Sequence, residues 1–211
     1  MKTMQFKVCG ITSIDQASAL QAMGVNYIGF IFYPSSKRYV LEKLSLADLA
    51  NFKPIGVKKV GVFVNEPLEQ LLEIAQAAGL DLVQLHGDES PEYCATVRQK
   101  VETIKVFRVG ASVPDVATYE SVVDHFLFDT DSALYGGTGQ HFNWELIKGS
   151  TIPKPFFLSG GIGPNDIQGV QVMEKTKAGK TLLALDINSQ FEVTPGVKNL
   201  EKIKIFINAF I

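Results

Sequence analysis

The polar residues of this chain that could do chemistry stand at the ends of short apolar runs. Cys9 ends FKVC, His86 ends LVQLH, Ser159 ends PFFLS, and Asp129 and Asp186 follow HFLF and LLAL. Arg38, Asn65 and Ser189 lie just beyond such runs. A thiol can serve as nucleophile or base once it is a thiolate; an unperturbed cysteine has a pKa of about 8.5, so it needs a stabilising neighbour. Lys7, two residues back and so on the same face of a strand, is a candidate for that neighbour. Asp129 is a candidate general acid if burial or a second carboxylate keeps its proton in place. Arg38, in Pro34-Ser35-Ser36-Lys37-Arg38-Tyr39, carries a planar guanidinium that could clamp a carboxylate through two parallel hydrogen bonds. Gly160, Gly161, Asn188 and Ser189 follow two apolar runs at points where backbone N–H groups could approach a phosphate. Each residue also has a plainer use. Cys9 could be a small buried apolar group, as Cys94 is expected to be, and Asp129, His86 and Asn65 could cap loops. Arg38 could be a solvated charge, as Lys37 is expected to be, and the glycines could simply make turns. The sequence GGTG at 136–139, soon after Asp129, reads equally as a hinge or as a lid.

These ends take their meaning from the elements that carry them. Eight runs rich in β-branched, aromatic and leucine residues are bounded by Gly, Pro, Asp or Ser and read as strands: 6–11, 27–32, 59–64, 82–86, 103–109, 125–130, 155–159 and 181–187. Between them the apolar spacing becomes helical. Residues 67–79 place Leu68, Leu71, Leu72, Ala75 and Ala78 on one face, with Pro67 in the first turn and Gly79 as the stop. Residues 199–210 repeat the pattern with Leu200, Ile203, Phe206, Ile207 and Phe210. Ser13 caps a first helix reaching Met23 before Gly24, and Ser90, followed by Pro91 and Glu92, opens the fourth. Eight units of about 26 residues predict a single α/β domain over 1–211, a closed (β/α)8 TIM barrel; an open doubly wound sheet is the alternative.

In a barrel the C-terminal rim carries the active site, so the polar strand ends converge there. Strand parity sharpens the expectation. Leu127 and Asp129 share a face opposite Phe126 and Phe128, which sends the two rings to the helices and Asp129 to the barrel mouth. Cys9 and Asp129, from different strands, could then flank one small molecule. The loops after the seventh and eighth strands often bind phosphate in such barrels, which favours a phosphorylated ligand.

Composition narrows the function classes. The net charge is −2, without the basic excess that nucleic-acid binding needs. No apolar run approaches the roughly 20 residues of a membrane span, and residues 1–10 carry no long apolar signal segment. Two cysteines are too few for a disulfide framework, and the three histidines, His86, His125 and His141, are not paired at metal-ligand spacing. The chain reads as a soluble, cytoplasmic, metal-free monomer with a small-molecule partner.

The same residues carry a family resemblance. KVCGIT at 7–12, GFIFYPSSKRYV at 29–40, GVFVNE at 61–66, QLHGD at 84–88, DTDSALYGGTGQHFNW at 129–144, LSGGI at 158–162 and LDINSQFE with PG at 185–196 resemble phosphoribosylanthranilate isomerases from the first strand to the last. The resemblance implies a barrel without metal or organic cofactor. It implies an Amadori rearrangement of N-(5-phosphoribosyl)anthranilate to 1-(2-carboxyphenylamino)-1-deoxyribulose 5-phosphate, in tryptophan biosynthesis. Carried over residue by residue, Cys9 is the general base, Asp129 the general acid and Arg38 the holder of the anthranilate moiety. Gly160, Gly161 and Ser189 belong to the phosphate loops; His86, Asp186 and Asn188 complete the expected substrate contacts. One stretch departs from the family pattern: Asn188 stands where a serine is common and Gln190 where a glycine is. Other phosphosugar barrels fit less well. A ribulose-phosphate epimerase would want metal-binding histidines, and the related histidine-pathway isomerase an aspartate near Cys9. A barrel that binds a phosphosugar without chemistry is the reading from another class.

Overall fold

The computed structural model of the chain describes residues 4–130 and 143–210. Eight parallel strands close into one barrel in sequence order: β1 Gln5–Val8, β2 Tyr27–Ile31, β3 Lys58–Phe63, β4 Leu82–Leu85, β5 Glu102–Val109, β6 His125–Thr130, β7 Phe156–Leu158 and β8 Leu182–Ile187. Closure comes from β1 lying against β8, with Lys7 opposite Asp186. The closed barrel, not the open sheet, is the fold. Several expected strands are shorter than their apolar runs, because the last one to three residues turn out of the ladder into the upper loops. Cys9, His86 and Ser159 lie in that position.

The strand sequences are apolar on both faces because both faces are covered. Tyr27, Val60, Leu82, Ile104, Val106, Leu127, Phe157 and Ala184 fill the barrel interior as one buried cluster. The alternate residues, Phe126 and Phe128 among them, join the larger cluster under the helices. The expected parity of β6 is therefore observed. At the N-terminal end of the barrel, Glu102 accepts from Lys58 Nζ at 2.7 Å and lies 2.6 Å from His125 Nε2.

The helices are α1 Ile14–Ala22, α2 Leu46–Asn51, α3 Leu68–Ala78, α4 Pro91–Arg98, α5 Glu145–Lys148, α6 Ile167–Glu174 and α7 Leu200–Asn208. Ser13 and Ser90 cap α1 and α4 by accepting from Gln16 N and Tyr93 N, and Pro91 occupies the first turn. Pro67 stands one place earlier than expected, at the cap of α3, and Gly79 ends that helix at φ +62°, in the left-handed region. The strand–helix alternation is uneven. Among the described residues, β5 and β6 are joined by a single turn of 3-10 helix at Ala117–Tyr119 instead of an α-helix, and α5 has one turn. After β8 the chain makes a small antiparallel hairpin, β9 Glu192–Thr194 and β10 Val197–Lys198, before α7. No helix among the described residues is long and apolar enough to cross a membrane.

Candidate active site

The upper rim holds two buried polar clusters. The first is built on β1. Cys9, one residue past the strand, is 5% exposed, and its N–H donates to Ile187 O at 3.0 Å. The sulfur leans over β2, where a Cβ on Gly29 would stand 2.8 Å from Sγ, so glycine there makes its room. Lys7 is fully buried beside it, with Nζ 2.8 Å from Asp186 Oδ1, and Ser159 Oγ donates to Asp186 Oδ2 at 3.3 Å. Burial alone would lower the pKa of Lys7; the attraction of Asp186 and Cys9 outweighs it and holds the ammonium above its ordinary pKa. The thiol moves up. Burial is the largest cause and Asp186 adds to it, while Lys7 and Lys198 pull the other way. Lys7 acts in the direction expected of a stabilising neighbour, favouring the thiolate, but it does not overcome desolvation. Burial and the Asp129 charge likewise push Asp186 up against the pull of Lys7.

The second cluster is built on β4 and β6. Asp129 is 7% exposed, accepts from Thr130 N at 2.8 Å through Oδ1, and presents Oδ2 to His86 Nε2 at 3.4 Å. Gln84 Nε2 lies 3.0 Å from His86 Nδ1; a neutral ring that accepts there carries its proton on Nε2, facing Asp129. Gln84 Oε1 and His86 Nε2 are buried without a hydrogen-bond partner, two polar valences left over at the mouth. Gly160 sits against the acid: at φ +89° its missing Cβ would come within 2.4 Å of Thr130 Oγ1 and 3.2 Å of Asp129 Oδ1. Gly161 follows at φ +69°. Asp186 lies within electrostatic reach of both clusters, of Lys7 in the first and of Asp129 and His86 in the second.

The loops after β7 and β8 are neighbours, for a Cβ on Gly163 would lie 3.4 Å from Gln190 Cβ. Ser189 begins a 3-10 turn, Ser189–Phe191, and Lys202 Nζ donates to Gln190 O at 2.6 Å, tying that turn to α7. Asn188 Oδ1 accepts from Lys198 Nζ at 2.6 Å.

Arg38 is not a solvated charge, and it does clamp a carboxylate, one that belongs to the chain: Glu192 takes Nε at 2.9 and 3.1 Å and Nη2 at 2.7 Å. Lys37 is exposed, as expected. Asn65 is a loop pin, at φ +51°, accepting from Asp88 N and donating its own N–H to Glu89. GGTG at 136–139 and His141 lie outside the described residues. Sequence reading passed over Glu192, Lys198 and Gln84. Gln84 shares strand parity with His86 and could have been found; Glu192 and Lys198 belong to a polar hairpin with no periodic signal. Among the described residues no group of three or more His, Cys, Asp or Glu side chains is arranged to hold a metal ion.

Comparisons with known proteins identify the family. Residues 6–209 match the family described as N-(5'phosphoribosyl)anthranilate (PRA) isomerase. An N-(5'-phosphoribosyl)anthranilate isomerase of Parabacteroides distasonis is 39% identical over 97% of this chain and 92% of its own length. The crystal structure of phosphoribosyl anthranilate isomerase from Thermus thermophilus superposes with a TM-score of 0.82 at 29% identity, covering 98% of both chains. A phosphoribosyl anthranilate isomerase in complex with reduced 1-(o-carboxyphenylamino)-1-deoxyribulose 5-phosphate gives 0.74 at 31% identity, covering 98% of this chain and 97% of that one. This chain therefore belongs to the N-(5'-phosphoribosyl)anthranilate isomerase family.

Proposed function

We propose that the barrel mouth isomerises N-(5'-phosphoribosyl)anthranilate to the aminodeoxyribulose phosphate by acid–base catalysis, with Asp129 as acid and Cys9 as base. Asp129 gives a proton to the furanose ring oxygen, and the ring opens to a protonated Schiff base. The iminium acidifies the adjacent sugar C–H. The Cys9 thiolate takes that proton, leaving an enolamine that tautomerises to the aminoketose. Acid and base must stand on different sides of the sugar. The observation that carries the reading is the pair of buried clusters: Lys7 on β1 with Cys9 just past it, and Asp129 on β6 with His86 just past β4, the two separated around the barrel by β7 and β8, where Asp186 stands between them.

The raised thiol pKa gives Lys7 a definite task. Ligand binding displaces water from the mouth, and every charge there acts more strongly afterwards. The fixed ammonium then favours the thiolate when the iminium adds a second positive charge. His86 Nε2 and Gln84 Oε1 are free to bond ligand hydroxyls, and Ser189 with Gly160 and Gly161 offers the backbone N–H groups of the phosphate site. The amide oxygen of Asn188 is taken up by Lys198, which leaves its NH2 beside the backbone N–H groups as a donor for the phosphate. The chain acts as one domain, a monomer in the cytoplasm. Mixing purified protein with freshly made substrate and following anthranilate fluorescence tests the function. Decay of the signal with multiple turnovers supports it; binding without decay supports the non-catalytic phosphosugar barrel.

A further inference from the structure

Glu192 accepts hydrogen bonds from four groups with one carboxylate. Arg38 supplies Nε and Nη2, Lys198 Nζ donates to Oε1 at 2.7 Å, and Gly196 N donates to Oε1 at 3.0 Å. All three side chains are sheltered: Lys198 is 0% exposed, Glu192 5% and Arg38 13%. The arrangement spans the β1 end of the barrel, since Arg38 follows β2 and the hairpin carrying Glu192 and Lys198 follows β8. It passes directly over the residue after Cys9. Gly10, at φ +75°, has no Cβ because one would sit 2.6 Å from Arg38 Cδ and 3.0 Å from Asn188 Oδ1. The hairpin is fastened from below as well, by Thr12 Oγ1 donating to Gly196 O at 2.9 Å.

A guanidinium has five N–H bonds and two forked edges. Glu192 occupies the side-on fork of Nε and Nη2. No hydrogen bond from the described residues reaches Nη1, so the end-on fork of Nη1 and Nη2 remains open. The three formal charges sum to +1, which matches one further anion. We propose that Glu192 is the positioning residue for recognition of the substrate carboxylate: locked by Lys198 and Gly196, it fixes the plane of the Arg38 guanidinium and leaves one two-pronged edge beside Cys9 for a ligand carboxylate. The proposal rests on the assignment of Arg38 to the anthranilate moiety and extends it to the residues that aim it.

Charge and geometry predict opposite signs for Glu192→Gln. Removing a negative neighbour would by charge alone tighten an anion. Releasing the guanidinium from its fork weakens it, because a two-pronged bond depends on orientation. The experiment compares wild type, Glu192→Gln, Glu192→Asp and Arg38→Met. It measures KM and kcat, and the Kd of the reduced carboxyphenylaminodeoxyribulose phosphate against its phenyl counterpart lacking the carboxylate. Wild type should prefer the carboxylate form by about 10–100-fold, the worth of a charged hydrogen-bonded contact. Glu192→Gln should raise KM by a similar factor, reduce the preference to within about threefold, and change kcat much less. Should Glu192→Gln not fold by circular dichroism, the shorter Glu192→Asp carries the same readout, with a smaller loss of preference expected. An unchanged or increased preference in the folded Glu variants overturns the proposal. If Arg38→Met alone abolishes the preference, the aiming role fails while the Arg38 assignment stands; if Arg38→Met also leaves it intact, the assignment itself fails.

Discussion

At the scale of single residues, the reaction asks a buried thiol to become a base in a place that resists its ionisation. Lys7 is the only ammonium among the described residues that is hydrogen-bonded to Asp186, and its pull on Cys9 is opposed by burial and by Asp186. The rate of Cys9 alkylation should therefore rise through the alkaline range, with an apparent pKa above that of an ordinary cysteine. Lys7→Met should push that pKa further up, since the largest attraction to the thiolate is gone. Mass-spectrometric alkylation rates against pH, with Cys94 as the internal comparison, measure both. The thiol of Cys94 is pushed up to about 12 by burial and should stay unreactive throughout. A Lys7→Met profile that overlays the wild type would remove Lys7 from the account.

At the scale of elements, the strands that place these residues depend on absent atoms as much as on present ones. A methyl on Gly29 would meet Cys9 at 2.8 Å from Sγ and 3.0 Å from Cα, and the Cα cannot move without disturbing the β1–β2 ladder. Gly29→Ala should cost about 1–3 kcal/mol of stability as overpacking and, by displacing the sulfur, roughly 100-fold in kcat for a shift near 1 Å. Thermal melts and steady-state kinetics separate the two effects; wild-type turnover in a folded Gly29→Ala would show that the sulfur position is not critical. The strands were legible in the sequence because both faces are apolar, and the rim residues because polar groups at strand ends stand out against them. The hairpin Glu192–Lys198 was not legible. Its strands are three and two residues long, it buries charges rather than apolar groups, and its contacts to Arg38 and Thr12 cross more than 150 positions. The missing helix between β5 and β6 was hidden for a similar reason: strand periodicity fixed the repeat, and loop length alone does not say whether a helix fills it.

At the scale of the molecule, barrel closure brings the first and last strands together, and buried charge gathers along that closure. Lys7 and Asp186 face each other across it, and the Arg38–Glu192–Lys198 group roofs it. Glu192 is held below its ordinary 4.5: burial would raise it, but Arg38, Lys198 and the Gly196 N–H prevail. Glu102, at the opposite end of the barrel, is lowered by Lys58 and His125 against the same burial. A carboxyl held low in the fold stabilises it above the unfolded pKa, and that contribution disappears as pH falls through the folded value. Melting temperature should therefore drop as the medium is acidified below about pH 4.5, and the drop should be shallower in Glu192→Gln, which has no such contribution to lose. Asp186 has the opposite sign, its folded pKa being raised, so it adds nothing to this acid loss. Parallel acid slopes in Glu192→Gln and wild type would mean that the roof does not contribute to pH-dependent stability.

The division of labour between sulfur and carboxyl is tested most directly by turnover in Cys9→Ser and Asp129→Asn, followed by the decay of anthranilate fluorescence, with affinity for the stable reduced product measured on the same preparations. Each variant should lose about 10²–10⁴-fold in kcat while binding the reduced product within a few-fold of wild type. Turnover near the wild-type rate in either variant, with the ligand still bound, would contradict the assignment of base and acid.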